Sequence, residues 1–228
     1  MTTLLIATRN LHKVGEIRTL LGDNFRCLTL QDFPAAPEVI EDAHTFAGNA
    51  TKKAVELAEW LNIQHSTSNL QHPKPDGILA DDSGLEVDAL NGAPGVYSAR
   101  FAALDRNDNS PDANNNAKLL RLLKDVPLEK RTARFRCVLA LVPVIFENSE
   151  NTSPICYASE FEMQTRLFEG TCEGRILFSA RGGGGFGYDP LFVPDGFEMS
   201  FAELGGPVKN RLSHRAHALQ KLKVALGD

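Results

Sequence analysis

The first thirty residues alternate between a short apolar segment, an amphipathic helical pattern and a second short apolar segment. Thr2 to Ala7 is apolar and has the length of a buried strand. Asn10 is a residue typical of helix N-caps, and apolar residues then recur at helical spacing until Gly22, namely Leu11, Val14, Ile17 and Leu21. Phe25 to Leu30 predicts the second strand. This strand–helix–strand opening is typical of an α/β fold.

Later segments extend this pattern to a mixed sheet flanked by helices. We predict a helix over Thr45 to Asn62, a short strand over Ile78 to Ala80, and two long strands over Arg131 to Val144 and Cys156 to Gly170. The two long strands are joined by a short polar connection, so they predict an antiparallel pair. Ser213 caps a last helix. With 228 residues, we expect one domain over 1–228, either single or tightly two-lobed.

Charge and composition exclude several classes of protein. The chain has 24 Lys and Arg against 29 Asp and Glu, a formal charge of −5, which disfavours binding to nucleic acid. The longest apolar run, Cys137 to Ile145, is too short to span a membrane. The first residues lack the features of a signal peptide. The four cysteines are widely spaced without a metal-binding pattern, so we expect reduced thiols in a cytoplasmic protein without nucleic-acid or membrane partners.

The first candidate site lies where the first strand meets the first helix. Thr8, Arg9, Asn10, Leu11, His12 and Lys13 follow one another there. A helix N-terminus carries unpaired N–H groups and a partial positive charge, and a hydroxyl, an amide and an ammonium group are added here. The segment therefore suits a phosphate, although an ordinary N-cap followed by a solvated lysine is an alternative.

The second candidate site is Asp81-Asp82-Ser83-Gly84, which we place directly after a short buried strand. Adjacent carboxylates repel one another unless a cation or a donor lies between them. Carboxylate oxygens suit Mg²⁺, and either group could act as a general base toward water. An Asp-rich turn is the alternative.

Two further candidate sites lie in the second half of the chain. A glycine-dense loop from Gly182 leads to Phe186, Gly187, Tyr188 and Asp189, and the exposed face of Phe186 suits a nucleobase. A flexible hairpin whose aromatic side chains fold back into the core is the alternative. A basic cluster lies before and at the start of the last helix and comprises Lys209, Arg211, His214 and Arg215. Cations at a helix start oppose the helix dipole, which favours an anionic or carbonyl-bearing ligand there. A basic surface turn is the alternative.

Together these motifs resemble the inosine triphosphate pyrophosphatase family over nearly the whole chain, because their order and spacing match. The segments that carry the resemblance are Thr8-x-Asn10-x-x-Lys13, Thr45-Phe46 with Asn49-Ala50, Asp81 to Leu85, Gly92 to Gly95 with Ser98-Ala99-Arg100, Gly184 to Pro190, and Ser213-His214-Arg215.

The resemblance implies an elongated, curved mixed sheet with helices, two lobes and a central substrate cleft, assembled as a homodimer. It implies Mg²⁺-dependent hydrolysis of dITP, ITP and XTP to the monophosphate and pyrophosphate, which cleanses the nucleotide pool. By position, the triphosphate would be held by Thr8, Asn10 and Lys13 with the neighbouring Arg9, Leu11 and His12. Asp82 would be the catalytic acceptor and, with Glu41, a metal ligand. The nucleoside would contact Ser83, Phe186, Gly187, Tyr188, Asp189, Lys209, His214 and Arg215.

The chain departs from the family pattern at three places. Gly48 stands where the family commonly has Glu, and Arg9 takes a position often held by a small residue. The stretch before Lys209 is unusual, so Arg211 competes for the role of the family lysine. The loops at 64–76 and 147–154 resemble insertions.

Three rival functions remain open at this stage. The same pockets could sense a nucleotide without cleaving it, and a related phosphohydrolase could act on modified pyrimidine or standard triphosphates. Nucleic-acid binding is the third and is disfavoured by charge. A 6-oxo purine presents an acceptor where adenine presents a donor, so a site with donors there would prefer hypoxanthine or xanthine.

Overall fold

A computed structural model describes residues 1–67, 74–103, 109–144 and 164–227, and their strands form one six-stranded sheet. The strands are β1 (Thr2–Ile6), β2 (Phe25–Thr29), β3 (Gly77–Val87), β4 (Thr132–Pro143), β5 (Arg166–Ile176) and β6 (Phe192–Pro194). Their order in the sheet is β2-β1-β3-β4-β5-β6. β1 is parallel to β2 and to β3, whereas β5 is antiparallel to β6. The predicted mixed α/β sheet is therefore confirmed.

Five α-helices accompany the sheet in the part of the chain that the structure describes. They are α1 (Leu11–Leu21), α2 (Phe46–Thr67), α3 (Asp112–Leu122), α4 (Phe201–Leu212) and α5 (His214–Leu226). Short 3-10 helices lie at Asp88–Leu90, Gly95–Ala103 and Leu128–Lys130. None of the helices in the described ranges combines the length and apolar character needed to cross a membrane.

The chain separates into two compact units. The first comprises Met1–Asp82, Val138–Phe168 and Leu222–Asp228, and the second comprises Ser83–Cys137 and Glu169–Lys221. The boundary falls between the adjacent residues Asp82 and Ser83, so β3 contributes residues to both units. The lobes, the cleft and the single domain over 1–228 stay predictions.

The first unit is built around β1 and helices α1 and α2. Asn10 caps α1 as predicted, because its side-chain oxygen accepts hydrogen bonds from two backbone N–H groups of the first turn. Gly22, with φ +71°, ends the helix. The apolar faces of these elements are buried, as shown by Leu4, Leu5, Ile6, Val14, Ile17, Leu21, Ala50, Ala54, Leu57 and Leu61.

The second unit has an aromatic core. The rings of Phe135 and Phe192 lie 4.7 Å apart between centroids, and Phe192 and Phe201 lie 5.3 Å apart. The imidazole of His214 stacks on Phe135 at 4.9 Å with an interplanar angle of 15°. This packing fixes the beginning of α5 against β4.

The structure corrects several predicted boundaries. Asp81 and Asp82 do not follow a strand end, because β3 continues through them to Val87. Helix α2 extends to Thr67, into the segment predicted as a loop. The predicted strand over Cys156 to Gly170 lies largely outside the described residues, and β5 instead runs to Ile176. The predicted 147–154 connection lies entirely outside them.

Helix α4 was not predicted. Lys209 and Arg211 therefore lie in its last turns and not in a surface turn that leads to the last helix. A kink at Gly205, with φ +76°, divides α4 into two segments, and Pro207 follows at the beginning of the second. These two residue types made the segment look non-helical from sequence alone.

Candidate functional site

Asp81 and Asp82 occupy consecutive positions in β3, so their side chains project to opposite faces of the strand. Asp81 is buried and forms an ion pair with Lys13, with Lys13 Nζ 2.5 Å from Asp81 Oδ1. Asp82 is buried too, and it contacts Asn49 and Lys53 of α2. Strand alternation separates the two carboxylates, and the positive charges of Lys13 and Lys53 offset their repulsion.

The predicted phosphate segment is organised by Asn10. Its Oδ1 atom accepts from His12 N at 2.9 Å and from Lys13 N at 3.2 Å, while Asn10 N donates to Thr8 Oγ1 at 3.2 Å. The guanidinium of Arg9 donates to Ala36 O at 3.0 Å. Thr8, Asn10 and Lys13 are therefore brought together, and Lys13 connects this segment to β3.

Lys53 is a member of the cluster that the sequence analysis missed. Its Nζ atom lies 2.7 Å from Asp81 O, 3.0 Å from Glu41 Oε1 and 3.8 Å from Asp82 Oδ1. Its side chain is only 10% exposed. One ammonium group thus contacts both carboxylates, Glu41 and Asp82, that the resemblance implies as metal ligands.

Asn49 completes the cluster from the first turn of α2. It is fully buried, and its Nδ2 group donates to Asp82 Oδ2 at 3.0 Å. Its Oδ1 atom accepts from Ala43 N at 2.9 Å. A signal for Asn49 and Lys53 exists in the sequence, because both fall on the helical stripe otherwise formed by Phe46, Ala50, Ala54 and Leu57.

Burial raises the pKa of Asp82 from its ordinary value of 3.8 to about 6. The positive charges of Lys53 and Lys13 lower the pKa of Asp82, and the hydrogen bond from Asn49 lowers it as well. The negative charge of Glu41 raises this pKa further. A carboxylate with a raised pKa is a stronger base than an ordinary aspartate, yet it is still mainly ionised at neutral pH.

This shift predicts that Asp82→Asn stabilises the metal-free protein at neutral pH. The folded state holds the Asp82 proton more tightly than the unfolded state, so the free energy of unfolding falls as pH rises from about 4 through about 6. The variant has no carboxylate to ionise, so we expect its free energy of unfolding at pH 7.5 to exceed that of the wild type by on the order of 1–3 kcal/mol. Urea unfolding with EDTA at pH 4.5 and 7.5 measures the difference.

The matched control for that experiment is Asp88→Asn. Hydrogen bonds from Thr132 and Arg134 lower the pKa of Asp88, so its carboxylate stabilises the fold at neutral pH and the variant should lose stability. Equal stability of wild type and Asp82→Asn at both pH values would contradict the raised pKa.

In the second unit, Lys209 and Asp189 form a buried ion pair. Lys209 Nζ lies 2.6 Å from Asp189 Oδ2, and both side chains are less than a tenth exposed. The same carboxylate oxygen accepts from Phe186 N at 2.9 Å. Lys209 Nζ also lies 4.4 Å from the ring centroid of Phe186, a cation–π contact. Of the two competing candidates, Lys209 therefore contacts the glycine-rich loop, whereas Arg211 is exposed.

Helix α3 holds the backbone of the same loop. Asp112 Oδ2 accepts from Gly187 N at 2.6 Å, and Asn116 Nδ2 donates to Gly187 O at 3.0 Å. Tyr188 is buried and donates its hydroxyl to Ser98 O at 2.9 Å. Burial also raises the pKa of Tyr188, so it remains a neutral donor. Hydrogen bonds to α3 thus hold the backbone of this loop, and Tyr188 folds back into the buried core as the hairpin alternative expects.

Arg215 connects the beginning of α5 to β3. Its guanidinium is almost completely buried and donates to Ser83 Oγ at 2.9 Å. Ser83 directly follows Asp82 in the chain. Within the second unit, Phe186 and Lys209 therefore both contact the Asp189 carboxylate. Ser83 pairs with Arg215, which directly follows the stacked His214 in the chain.

The donor set around Asp82 fits a magnesium ion. Mg²⁺ commonly binds to one or two carboxylates and keeps several waters or phosphate oxygens as its other ligands. Glu41 and Asp82 provide two carboxylates, and both contact the ammonium group of Lys53. Across the described ranges there is no group of three or more His, Cys, Asp or Glu residues that could hold a metal ion by itself.

Fold and site together define an α/β protein whose buried carboxylates and lysines are the groups used in phosphoryl-transfer sites. A model of the Ham1 family matches residues 4–225. The chain belongs to this family, and the predicted family is confirmed.

The relatives cover nearly the whole chain. The chain is 46% identical over 219 residues to the dITP/XTP pyrophosphatase of Desulforamulus reducens, which covers 96% of this chain and 92% of that protein. It is 45% identical over 228 residues to the dITP/XTP pyrophosphatase of Geobacter sulfurreducens, with 100% and 98% covered. Both relatives carry the activity in their names.

Solved structures agree with the fold. The Ham1 protein of Coxiella burnetii superposes with a TM-score of 0.76 at 32% identity, covering 100% of this chain and 99% of that one. The Ham1 protein of Staphylococcus aureus gives a TM-score of 0.75 at 31% identity, covering 99% and 98%. The nucleoside-triphosphatase / dITP/XTP pyrophosphatase of Mycobacterium abscessus gives a TM-score of 0.68 at 35% identity, covering 97% of this chain and 98% of that one.

Proposed function

We propose that this protein is a nucleoside triphosphate pyrophosphatase that hydrolyses dITP, ITP and XTP to the monophosphate and pyrophosphate, and so removes non-standard purines from the nucleotide pool. The observation that carries the proposal is the buried Asp82 carboxylate held between Asn49 and Lys53, with Glu41 on the same lysine. The names of the relatives point to the same reaction.

In this proposal the first unit's residues act on the triphosphate. Thr8, Asn10 and Lys13, with Arg9, Leu11 and His12 beside them, bind its oxygens. The Lys13 ammonium is paired with Asp81 of β3, so it is held in place before a ligand binds. Glu41 and Asp82 would hold Mg²⁺, which when bound neutralises phosphate oxygens and supports loss of pyrophosphate.

Asp82 is the residue to which we assign the catalytic role. Its carboxylate is the group that we assign to accept a proton from the water that attacks the α-phosphorus. The bond formed is from the water oxygen to the α-phosphorus, and the bond broken joins that phosphorus to the bridging oxygen of pyrophosphate. Lys53 lies close enough to stabilise the carboxylate without binding it tightly, at 3.8 Å.

The second unit's residues act on the base and sugar in this proposal. Phe186, Gly187, Tyr188 and Asp189 contact the nucleoside with Ser83, and Lys209, His214 and Arg215 recognise the base. Donors from these cations would pair with the 6-oxo group of hypoxanthine or xanthine and be left unpaired against adenine. Cytoplasmic location is supported by the wide spacing of the four cysteines, which is typical of reduced thiols, and a homodimer by the family resemblance.

The experiment is a nucleotide panel with pyrophosphate detection. We expect kcat/KM for ITP and XTP to exceed that for ATP by at least about 100-fold, because unpaired buried donors discriminate strongly. EDTA should abolish turnover and added Mg²⁺ restore it. Binding of ITP without pyrophosphate release would indicate a sensor, release of orthophosphate a different phosphohydrolase, and equal values for ITP and ATP would contradict the assigned base preference.

A further inference from the structure

We infer that Asn49 is a positioning residue that fixes the Asp82 carboxylate and the segment after Glu41 in one geometry. The inference rests on the proposed function, because it assigns Asn49 to the reaction through Asp82. It concerns residues of the first unit alone.

The contacts of Asn49 use both ends of its amide group. Its Nδ2 group donates to Asp82 Oδ2 at 3.0 Å in β3, and its Oδ1 atom accepts from Ala43 N at 2.9 Å. Its own N–H group donates to Thr45 O at 3.1 Å, which places it in the first turn of α2. A fully buried amide with both ends paired has a single favourable orientation, since rotation would leave polar groups unpaired.

These two bonds act on both candidate metal ligands. The bond to Asp82 fixes the plane of its carboxylate, and the bond to Ala43 anchors the backbone two residues after Glu41. Lys53, one turn further along α2, contacts the carboxylates of the same two residues. Lys53 supplies a positive charge to this arrangement, whereas Asn49 is neutral and orients the carboxylate through its hydrogen bond.

Gly48 explains how the segment at Ala43 comes so close. A Cβ atom on Gly48 would lie 2.8 Å from Ala43 Cβ and 3.0 Å from Thr45 Oγ1. Its backbone N–H donates to that same hydroxyl at 3.0 Å. The missing side chain at position 48 therefore permits the tight approach that brings Ala43 N–H to Asn49, which gives a local reason for the glycine.

The test compares Asn49→Ala in two backgrounds with ITP as substrate. In the wild-type background we expect kcat to fall by about 10- to 100-fold while KM changes by less than about threefold, as is typical when a supporting hydrogen bond to an active group is lost. In the Asp82→Asn background the same change should alter kcat by less than about twofold, because the group that Asn49 positions is already absent.

The matched control is Asn115→Ala. Asn115 is also a buried amide that bridges backbone groups, accepting from Ala102 N at 2.8 Å and donating to Ala99 O at 3.1 Å. The Asn115→Ala variant should lower the midpoint temperature of unfolding and leave kcat unchanged. Asn49→Ser is measured in parallel, so that a folded variant is available if Asn49→Ala does not fold.

The outcomes separate the inference from the proposed function. Wild-type protein that does not hydrolyse ITP contradicts the proposed function. Wild-type turnover together with a kcat for Asn49→Ala or Asn49→Ser within twofold of it overturns the inference. Equal fold-losses in the two backgrounds overturn it too, because they would show that Asn49 acts independently of Asp82.

Discussion

Replacing Asp82 with Asn should lower kcat for ITP hydrolysis by about 10²- to 10⁴-fold and change KM by less than about threefold. The amide can still accept from Asn49 but cannot take a proton from water. The loss should accompany the stability gain expected for the same variant at neutral pH, since burial of the charge costs folding free energy and serves only the reaction. Steady-state kinetics at saturating Mg²⁺ measures both constants.

Asp88→Asn is the control for the kinetic experiment. Asp88 lies just past the end of the same strand and pairs with Arg134 on the surface. It should retain wild-type kcat. An Asp82→Asn enzyme that turns over ITP at the wild-type rate would contradict the assigned role.

The second large effect is expected from Lys209→Met. The variant leaves the Asp189 carboxylate buried without its cation, and breaking such a pair from one side costs about 3–5 kcal/mol of stability. Adding Asp189→Asn to Lys209→Met should recover most of this loss, because no charge then remains to be buried. Urea unfolding of the single and double variants measures both changes.

Lys118→Met serves as the control for that experiment. Lys118 also contacts an aromatic ring, with Nζ 4.6 Å from the centroid of Phe101, and it donates to Phe101 O at 2.6 Å, but it has no carboxylate partner in the described contacts. We expect it to cost about 1 kcal/mol or less. Equal losses for the two lysines would show that the buried ion pair contributes nothing special.

The order of the elements could be predicted from sequence because local signals were strong. The cap at Asn10, the stop at Gly22 and the short apolar runs each specify an element without reference to the rest of the chain. Helix α4 was missed because glycine and proline at 205–207 outweighed its start signal. That signal was present, since Ser200 and Glu203 form a capping box whose two hydrogen bonds are both made.

The candidate site could be predicted only in part, for a different reason. Lys13 stands out in sequence because it follows a strand–helix junction, and Asp82 because adjacent carboxylates were predicted to follow a strand end. Asn49 and Lys53 lie inside a helix, and their importance depends on β3 passing beside that helix with two carboxylates. Strand alternation, which separates Asp81 from Asp82, likewise follows only once β3 is known to continue through both.

The most direct test of the central claim is hydrolysis of ITP in ¹⁸O-labelled water with Mg²⁺, followed by mass spectrometry of the products. If water activated by Asp82 attacks the α-phosphorus, a single turnover should place the label in inosine monophosphate and leave the pyrophosphate unlabelled. Label in pyrophosphate or in orthophosphate would contradict attack at the α-phosphorus and with it the mechanism assigned to this site.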